Sequence, residues 1–345
     1  MPPRKPTPVI GSRRQLLGAA GAATAALLAR TAAAADSAQS PLWGANYWAM
    51  KERDGGKKIW LAMYRRRATT PQPGGAKLPV LFLVHGSSTS ALASFDISVH
   101  APGDYSMMDV FAGYGFDVWT MDHEGYGRSS RTDANSDIAS GVEDLRAAAD
   151  VIARETGQTR ISFLGESSGA LRAGAFAMAA PDRVDRLVLE AFTWTGKGSP
   201  TLAKRAEALE YYRTHNRRPR DRDMIRSILT RDKPGTSDMA VAEAIADADM
   251  PYGNSVPAGT YLDMTSKLPL VDPEKVLCPV LMIRGEYDGI STMEDLIGFY
   301  EKLPNGDRQF NVIPGAAHAV TLSLNRQIMW HVVRGFLTMP ARTDT

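Results

Sequence analysis

Apolar residues fall along this chain in short unbroken blocks, separated by longer stretches with helical spacing. Residues 78–84 (LPVLFLV) are apolar throughout, and 116–121 (FDVWTM), 161–164 (ISFL) and 184–192 (VDRLVLEAF) are nearly so. Blocks this short, without alternation, predict strands covered on both faces. Residues 276–283 and 310–313 add two more. Between them, 105–114, 137–155, 170–180, 292–303 and 323–339 carry apolar residues three and four apart and predict helices. In 137–155, for example, Ile138, Val142, Leu145, Ala149 and Ile152 share one face. Residues 46–67 read as two strands turning at Asp54-Gly55-Gly56, and 69–76 (TTPQPGGA) as a loop. The alternation predicts an α/β fold: a mostly parallel central sheet with helices on both faces.

The alternation stops between residues 193 and 272. Four helix-like segments occur there, 202–212, 221–229, 239–247 and 261–267, with no convincing strand. A polar, helical insertion after the sixth strand is expected to form a cap over the strand ends, leaving 36–192 and 273–345 as the core. Its charges are segregated. Residues 204–233 hold ten basic and five acidic side chains; residues 238–263 hold five acids and no Lys or Arg. Either the two halves face each other or water, or the basic half attracts an anionic substrate.

Composition changes the picture at the N-terminus. The net charge of the 345-residue chain is +2, but residues 1–35 carry five basic side chains and no acid. The remainder holds 35 Lys+Arg against 38 Asp+Glu, which gives no footprint for nucleic acid. Ser12-Arg13-Arg14-Gln15-Leu16-Leu17 precedes a modest Ala/Gly/Leu run and the small residues before Asp36. This pattern resembles a twin-arginine signal peptide spanning 1–35, cleaved near Ala35. It implies export to the periplasm or beyond, with the export machinery as a partner and no stable membrane anchor after cleavage. Cys278 is the single cysteine, so no intramolecular disulfide can form.

The candidate chemistry centres on 160–169, RISFLGESSG. A strand passing directly into a helix puts Ser167 of Gly165-x-Ser167-x-Gly169 on a tight turn, with its hydroxyl exposed above a helix N-terminus. Taken alone, the pattern also suits any Gly/Ser-rich loop. A nucleophilic serine needs a histidine to take its proton and a carboxylate to orient that histidine. His318, in the small-residue loop after the last strand, is the best placed of six histidines; Asp288 follows the strand before it.

With these residues in the order Ser167, Asp288, His318, the chain resembles the α/β-hydrolase fold superfamily, specifically its capped serine hydrolases, over about 78–339. His85-Gly86, Asp122-x-x-Gly125-x-Gly127-x-Ser129, the Ser167 turn, Gly285-x-x-Asp288 and Gly315-x-x-His318 match its motifs in order. The resemblance implies that the backbone N–H groups of Ser87 (alternatively Ser88) and Ser168 form an oxyanion hole, and that His85 braces its loop. It also implies acyl transfer to water from a small-molecule ester, aromatic or anionic, with no metal or cofactor. A carbon–carbon bond hydrolase, lactonase, amidase or peptidase of the same fold is the alternative, and a non-catalytic binding protein the alternative of another class. Two features depart from the pattern. Glu124 stands where many relatives carry arginine. Glu166, beside the nucleophile, is expected to pair with Arg172 or to act on His318 from outside the triad. Glu190, at the end of the sixth strand, is the alternative to Asp288 as the triad acid, since some members of the superfamily place the acid there. Trp43, Trp48, Phe192 and Trp194 either line an acyl pocket or pack in the core.

Overall fold

A computed structural model of the chain describes residues 42–340. The expected signal segment, 1–35, lies outside these residues. The chain opens with a hairpin, β1 (Trp43–Arg53) and β2 (Lys57–Arg67), followed by β3 (Val80–Val84) and a short α1 (Ala91–Phe95). Two-residue strands β4 (Asp96–Ile97) and β5 (Tyr105–Ser106) precede α2 (Met107–Gly113), β6 (Asp117–Met121) and α3 (Ile138–Thr156). Then come β7 (Ile161–Glu166), α4 (Ser168–Ala179) and β8 (Val184–Glu190).

The segment 193–272 holds α5 (Pro200–Ala206), α6 (Leu209–Thr214), β9 (Arg217–Pro219), α7 (Arg222–Thr230), α8 (Met239–Asp249), β10 (Ser255–Pro257) and α9 (Gly259–Ser266). The core resumes with β11 (Val280–Gly285), α10 (Met293–Lys302), β12 (Arg308–Ile313) and α11 (Arg326–Leu337).

Eight strands form one sheet in the order β1-β2-β6-β3-β7-β8-β11-β12. The pairs β1–β2 and β2–β6 are antiparallel; the others are parallel. The unbroken apolar run of β3 follows from this placement. Val80, Phe82 and Val84 face the layer of α3, α4 and α10, whereas Leu81 and Leu83 face that of α1, α2 and α11. The C-terminal ends of β3, β7, β8, β11 and β12 open on one edge, where loops of such sheets carry sites.

Three local expectations are corrected. The strand expected from residue 276 begins at Val280, because 273–275 make a 3-10 turn and Pro279 has no N–H for the ladder. The helix expected over 202–212 is broken into α5 and α6. The 193–272 segment does contain strands: β9 and β10 pair as a three-residue antiparallel ribbon. Its partners are far apart in sequence and each ends on a proline, so no alternation marks them. Within this segment α7 and α8 pack through Ile225, Leu229, Val241 and Ile245 onto Ala93 of α1 and onto Ala319 and Leu322 after His318. The insertion thus lies over the strand ends that carry the site.

Candidate active site

Ser167 sits between the last residue of β7 and the first of α4, with φ 56° and ψ −118°. That backbone is strained for a residue with a side chain, and the surroundings enforce it. A Cβ on Gly165 would lie 2.6 Å from the Ala170 backbone, and one on Gly169 would lie 2.7 Å from His85 O. Only glycine lets β7, the turn and the β3 exit approach so closely. The Ser167 N–H is tied to Glu190 O at 2.8 Å, which fixes the turn to β8.

The loops after β11 and β12 are joined by Tyr287 N–H donating to Ala316 O at 2.9 Å. This brings Asp288 to His318. His318 Nδ1 lies 2.9 Å from Asp288 Oδ1, and His318 Nε2 lies 2.9 Å from Ser167 Oγ. Asp288 Oδ1 also accepts from the N–H groups of Ile290 (2.8 Å) and Ser291 (3.2 Å). Burial alone would raise the Asp288 pKa. His318 and these two N–H groups outweigh it and hold the carboxyl below its ordinary range. An ionised Asp288 keeps the imidazole proton on Nδ1 and leaves Nε2 to accept from the serine hydroxyl. The arrangement can take a proton from Ser167 as its oxygen attacks a carbonyl, and return it to a leaving group.

The β3 exit loop is braced by two neutral histidines. His85 Nδ1 donates to Gly86 O at 2.8 Å, and its Nε2 accepts from His123 N–H at 3.1 Å. Burial, first, and neighbouring positive charge push both imidazoles well below their ordinary pKa. Ser87 Oγ donates to Ser168 Oγ at 2.7 Å and accepts from Thr260 of α9 at 2.8 Å. These bonds hold the Ser87 backbone beside the start of α4, where the Ser168 N–H is unspent in the helix ladder. Ser88 points instead to Tyr261, with 2.8 Å between their hydroxyl oxygens.

Glu124 is held from β1. Lys51 Nζ lies 3.0 Å and Arg53 Nη2 2.8 Å from its Oε2, and Thr132 donates to Oε1 at 2.5 Å. Lys51 also reaches Asp144 at 2.6 Å, which in turn receives His123 Nδ1 at 3.0 Å. The hairpin thus supplies the cations that hold Glu124.

Glu166 does not pair with Arg172. Arg172 is fully buried and turns toward α3, where it donates to Ser136 O at 3.1 Å and lies over the Tyr126 ring. Glu166 ends β7 on the pocket side, and its Oε2 has no hydrogen-bond partner. Burial pushes its pKa up to about 7. Glu190 is pushed well up by burial, then by Glu166 and Asp288, and accepts from Val320 N–H at 3.1 Å.

Ser167, His318, Glu166 and Ser87 line a small cavity of about 40 Å³, together with Arg205 and Arg231 of the cap segment. None of Trp43, Trp48, Phe192 or Trp194 lines it. Phe192 packs on Phe299 in the core, and the Trp194 indole donates to Val271 O. Sequence reasoning missed Asp232, which brings a carboxylate oxygen within 4.8 Å of ligand atoms of Asp288 and His318. It is one of five acids in an arginine-rich run, with nothing in the sequence to single it out. These three could be asked to hold a cation. Both nitrogens of His318 are already engaged by Ser167 and Asp288, however, so the set suits proton transfer better than metal binding.

The chain is similar to several known hydrolases. It is 34% identical over 124 residues to a 2-hydroxy-6-oxononadienedioate/2-hydroxy-6-oxononatrienedioate hydrolase of Paraburkholderia phymatum. That match spans 33% of this chain and 36% of the relative, so the chain covers about a third of the relative's length. A thermophilic esterase from Thermogutta terrifontis superposes with a TM-score of 0.59 at 20% identity, over 85% of this chain and 97% of that one. An enol-lactonase from Burkholderia xenovorans LB400 gives 0.55 at 16%, over 86% and 97%. These structural likenesses establish the α/β-hydrolase fold. The model of the hydrolase family described as serine aminopeptidase, S33, matches residues 103–324, more than half of the chain, and the protein belongs to that family.

Proposed function

We propose that the protein hydrolyses a carboxylic ester through an acyl-enzyme. Ser167 is the nucleophile, His318 the general base and then acid, and Asp288 the residue that orients His318. The observation that carries this reading is the unbroken chain of contacts from Asp288 Oδ1 through His318 to Ser167 Oγ, 2.9 Å at each step. The backbone N–H groups of Ser87 and Ser168 receive the oxyanion, each worth about 3–4 kcal/mol to the transition state. A serine rather than a carboxylate in the turn argues against chemistry that proceeds through an alkyl-enzyme ester. Ser167→Ala is expected to abolish turnover of p-nitrophenyl esters while leaving the melting temperature within a degree or two. Turnover that survives the change overturns the assignment.

A second reading, cleavage of a carbon–carbon bond by the same residues, is favoured by the dienedioate hydrolase relative. Products separate the two: an acid and an alcohol from an ester, an acid and a ketone or second acid from a diketone. We further propose that residues 1–35 direct export by the twin-arginine route. Arg13→Lys with Arg14→Lys should then leave the protein in the cytoplasmic fraction.

A further inference from the structure

Most cations of the cap segment are spent within the protein. Arg222 and Arg226 of α7 pair with Glu243 and Asp247 of α8, Arg220 with Asp249, and Arg231 with Asp232. Arg217 bonds to the carbonyls of Gly125 and Ser255. The basic and acidic halves therefore meet through three arginines, Arg220, Arg222 and Arg226.

Of the cap arginines, Arg205 and Arg218 are left over. Among the described residues neither side chain makes a hydrogen bond or an ion pair; both guanidinium groups lie over the Tyr261 ring, 5.3 and 4.5 Å from its centroid. Arg205 is half-buried and shares the small cavity with Ser167 and His318. Burial, chiefly, pulls its pKa down to about 10; Tyr261 opposes this, and the charges of Arg231 and Arg218 add to it. A half-buried cation among other cations is unfavourable, and an anion beside it offsets that cost. Tyr261 fixes the geometry. It is fully buried, stacks on Tyr212 at 5.6 Å, and its hydroxyl meets Ser88 Oγ next to the proposed oxyanion donor.

We infer that Arg205, backed by Arg218 across Tyr261, is a carboxylate subsite, so that the preferred substrate is a short ester carrying a second, free carboxylate. A planar guanidinium with its donors unspent receives a carboxylate through two parallel hydrogen bonds. Arg205 lines the same small cavity as Ser167 and His318, so a short chain joins the reacting carbonyl to the carboxylate. A cationic end also disfavours the free ammonium of an aminopeptidase substrate. The inference names the substrate class of the site and rests on the ester-hydrolase reading above.

The test compares p-nitrophenyl hydrogen adipate with p-nitrophenyl hexanoate, which differ by a carboxylate in place of a methyl group. Binding of each to Ser167→Ala is measured by calorimetry, and turnover by the wild-type enzyme is followed in parallel. Ser167→Ala should prefer the adipate ester, and adding Arg205→Gln should cut that preference about ten- to a hundredfold. Arg213→Gln, an exposed cap arginine that faces Glu210, should leave it unchanged. Equal binding of the two esters, or a preference that survives Arg205→Gln, overturns the subsite even if both esters are cleaved. A preference that depends on Arg205, with neither ester cleaved by the wild type, sustains the subsite and overturns the hydrolase reading instead.

Discussion

Glu166 and Glu190 lie directly opposite each other at the ends of the paired strands β7 and β8, Glu166 one residue before Ser167. Each has a carboxyl oxygen without a hydrogen-bond partner. Two buried carboxylates this close cannot both ionise at little cost, so the pair retains a proton near neutral pH. Burial raises Glu166 from 4.5 to about 7 and Glu190 well above its ordinary value. The folded pKa lies above the unfolded one, so the native state binds more protons. The stability this contributes is fully present below about pH 4.5 and is lost as pH rises through about 7. Calorimetric melting from pH 5 to 8 should show that decline, and Glu190→Gln should flatten it. An unaltered slope in Glu190→Gln would falsify the shared proton.

The buried histidines act in the opposite direction. His85 and His123 have folded pKa values depressed well below 6.5, so the native state binds fewer protons than the unfolded chain. Their contribution is present above pH 6.5 and is lost as pH falls. His85→Gln keeps a donor and an acceptor on the side chain but cannot be protonated. It should lose less stability than the wild type between pH 7 and pH 5, read from urea midpoints. A parallel pair of curves would rule this out.

Asp288 orients His318 only while it is ionised and accepting. Asp288→Asn keeps the size of the side chain but can present an N–H to Nδ1, which forces the imidazole into the wrong tautomer. A loss of roughly 10³–10⁴ in kcat is expected, with little change in melting temperature. Asp232, whose carboxylate comes within 4.8 Å of His318, is the nearer substitute acid and is held by Arg231; Glu190, pushed well up by burial and bonded to Val320 N–H, is the other. A loss under tenfold would mean that another carboxylate does the orienting, and Asp232→Asn or Glu190→Gln in that background would identify it.

How much of this was legible in the sequence depended on whether the cause was local. The run at Val80–Val84 announces a strand buried on both faces, because each alternate residue needs a helix layer. Gly165 and Gly169 around Ser167 mark a turn whose backbone contacts leave no space for a Cβ. Other features depend on pairings that no local pattern encodes. Glu166 and Arg172 are six residues apart, yet they leave the turn on opposite sides, one at the end of a strand and the other one turn into a helix. The β9–β10 ribbon joins segments 38 residues apart. The charge segregation of the cap had two readings, and its outcome is mixed. Arg220, Arg222 and Arg226 face the acidic half, and the two arginines without a side-chain partner, Arg205 and Arg218, became visible only once every partner had a position.

Arg220 and Asp249 are expected to set how firmly the cap closes on the site. Their side chains are 3% and 2% exposed and form an ion pair. Arg220 also donates to Ser88 O at 3.0 Å and Gly253 O at 2.9 Å, while Asp249 receives Ser90 N–H at 3.2 Å. The pair therefore ties the cap to the loop that carries Ser87. Removing one partner leaves the other charge buried and uncompensated, which costs about 3–5 kcal/mol. Arg220→Met should lower the unfolding free energy by that amount and speed amide exchange at residues 88–90. Arg220→Met with Asp249→Leu removes both charges and should recover most of the lost stability. It does not restore the bonds to Ser88 and Ser90, so the fast exchange should persist. If the double variant regains slow exchange together with stability, the pair serves stability alone, and the oxyanion loop is positioned by Tyr261 and Thr260.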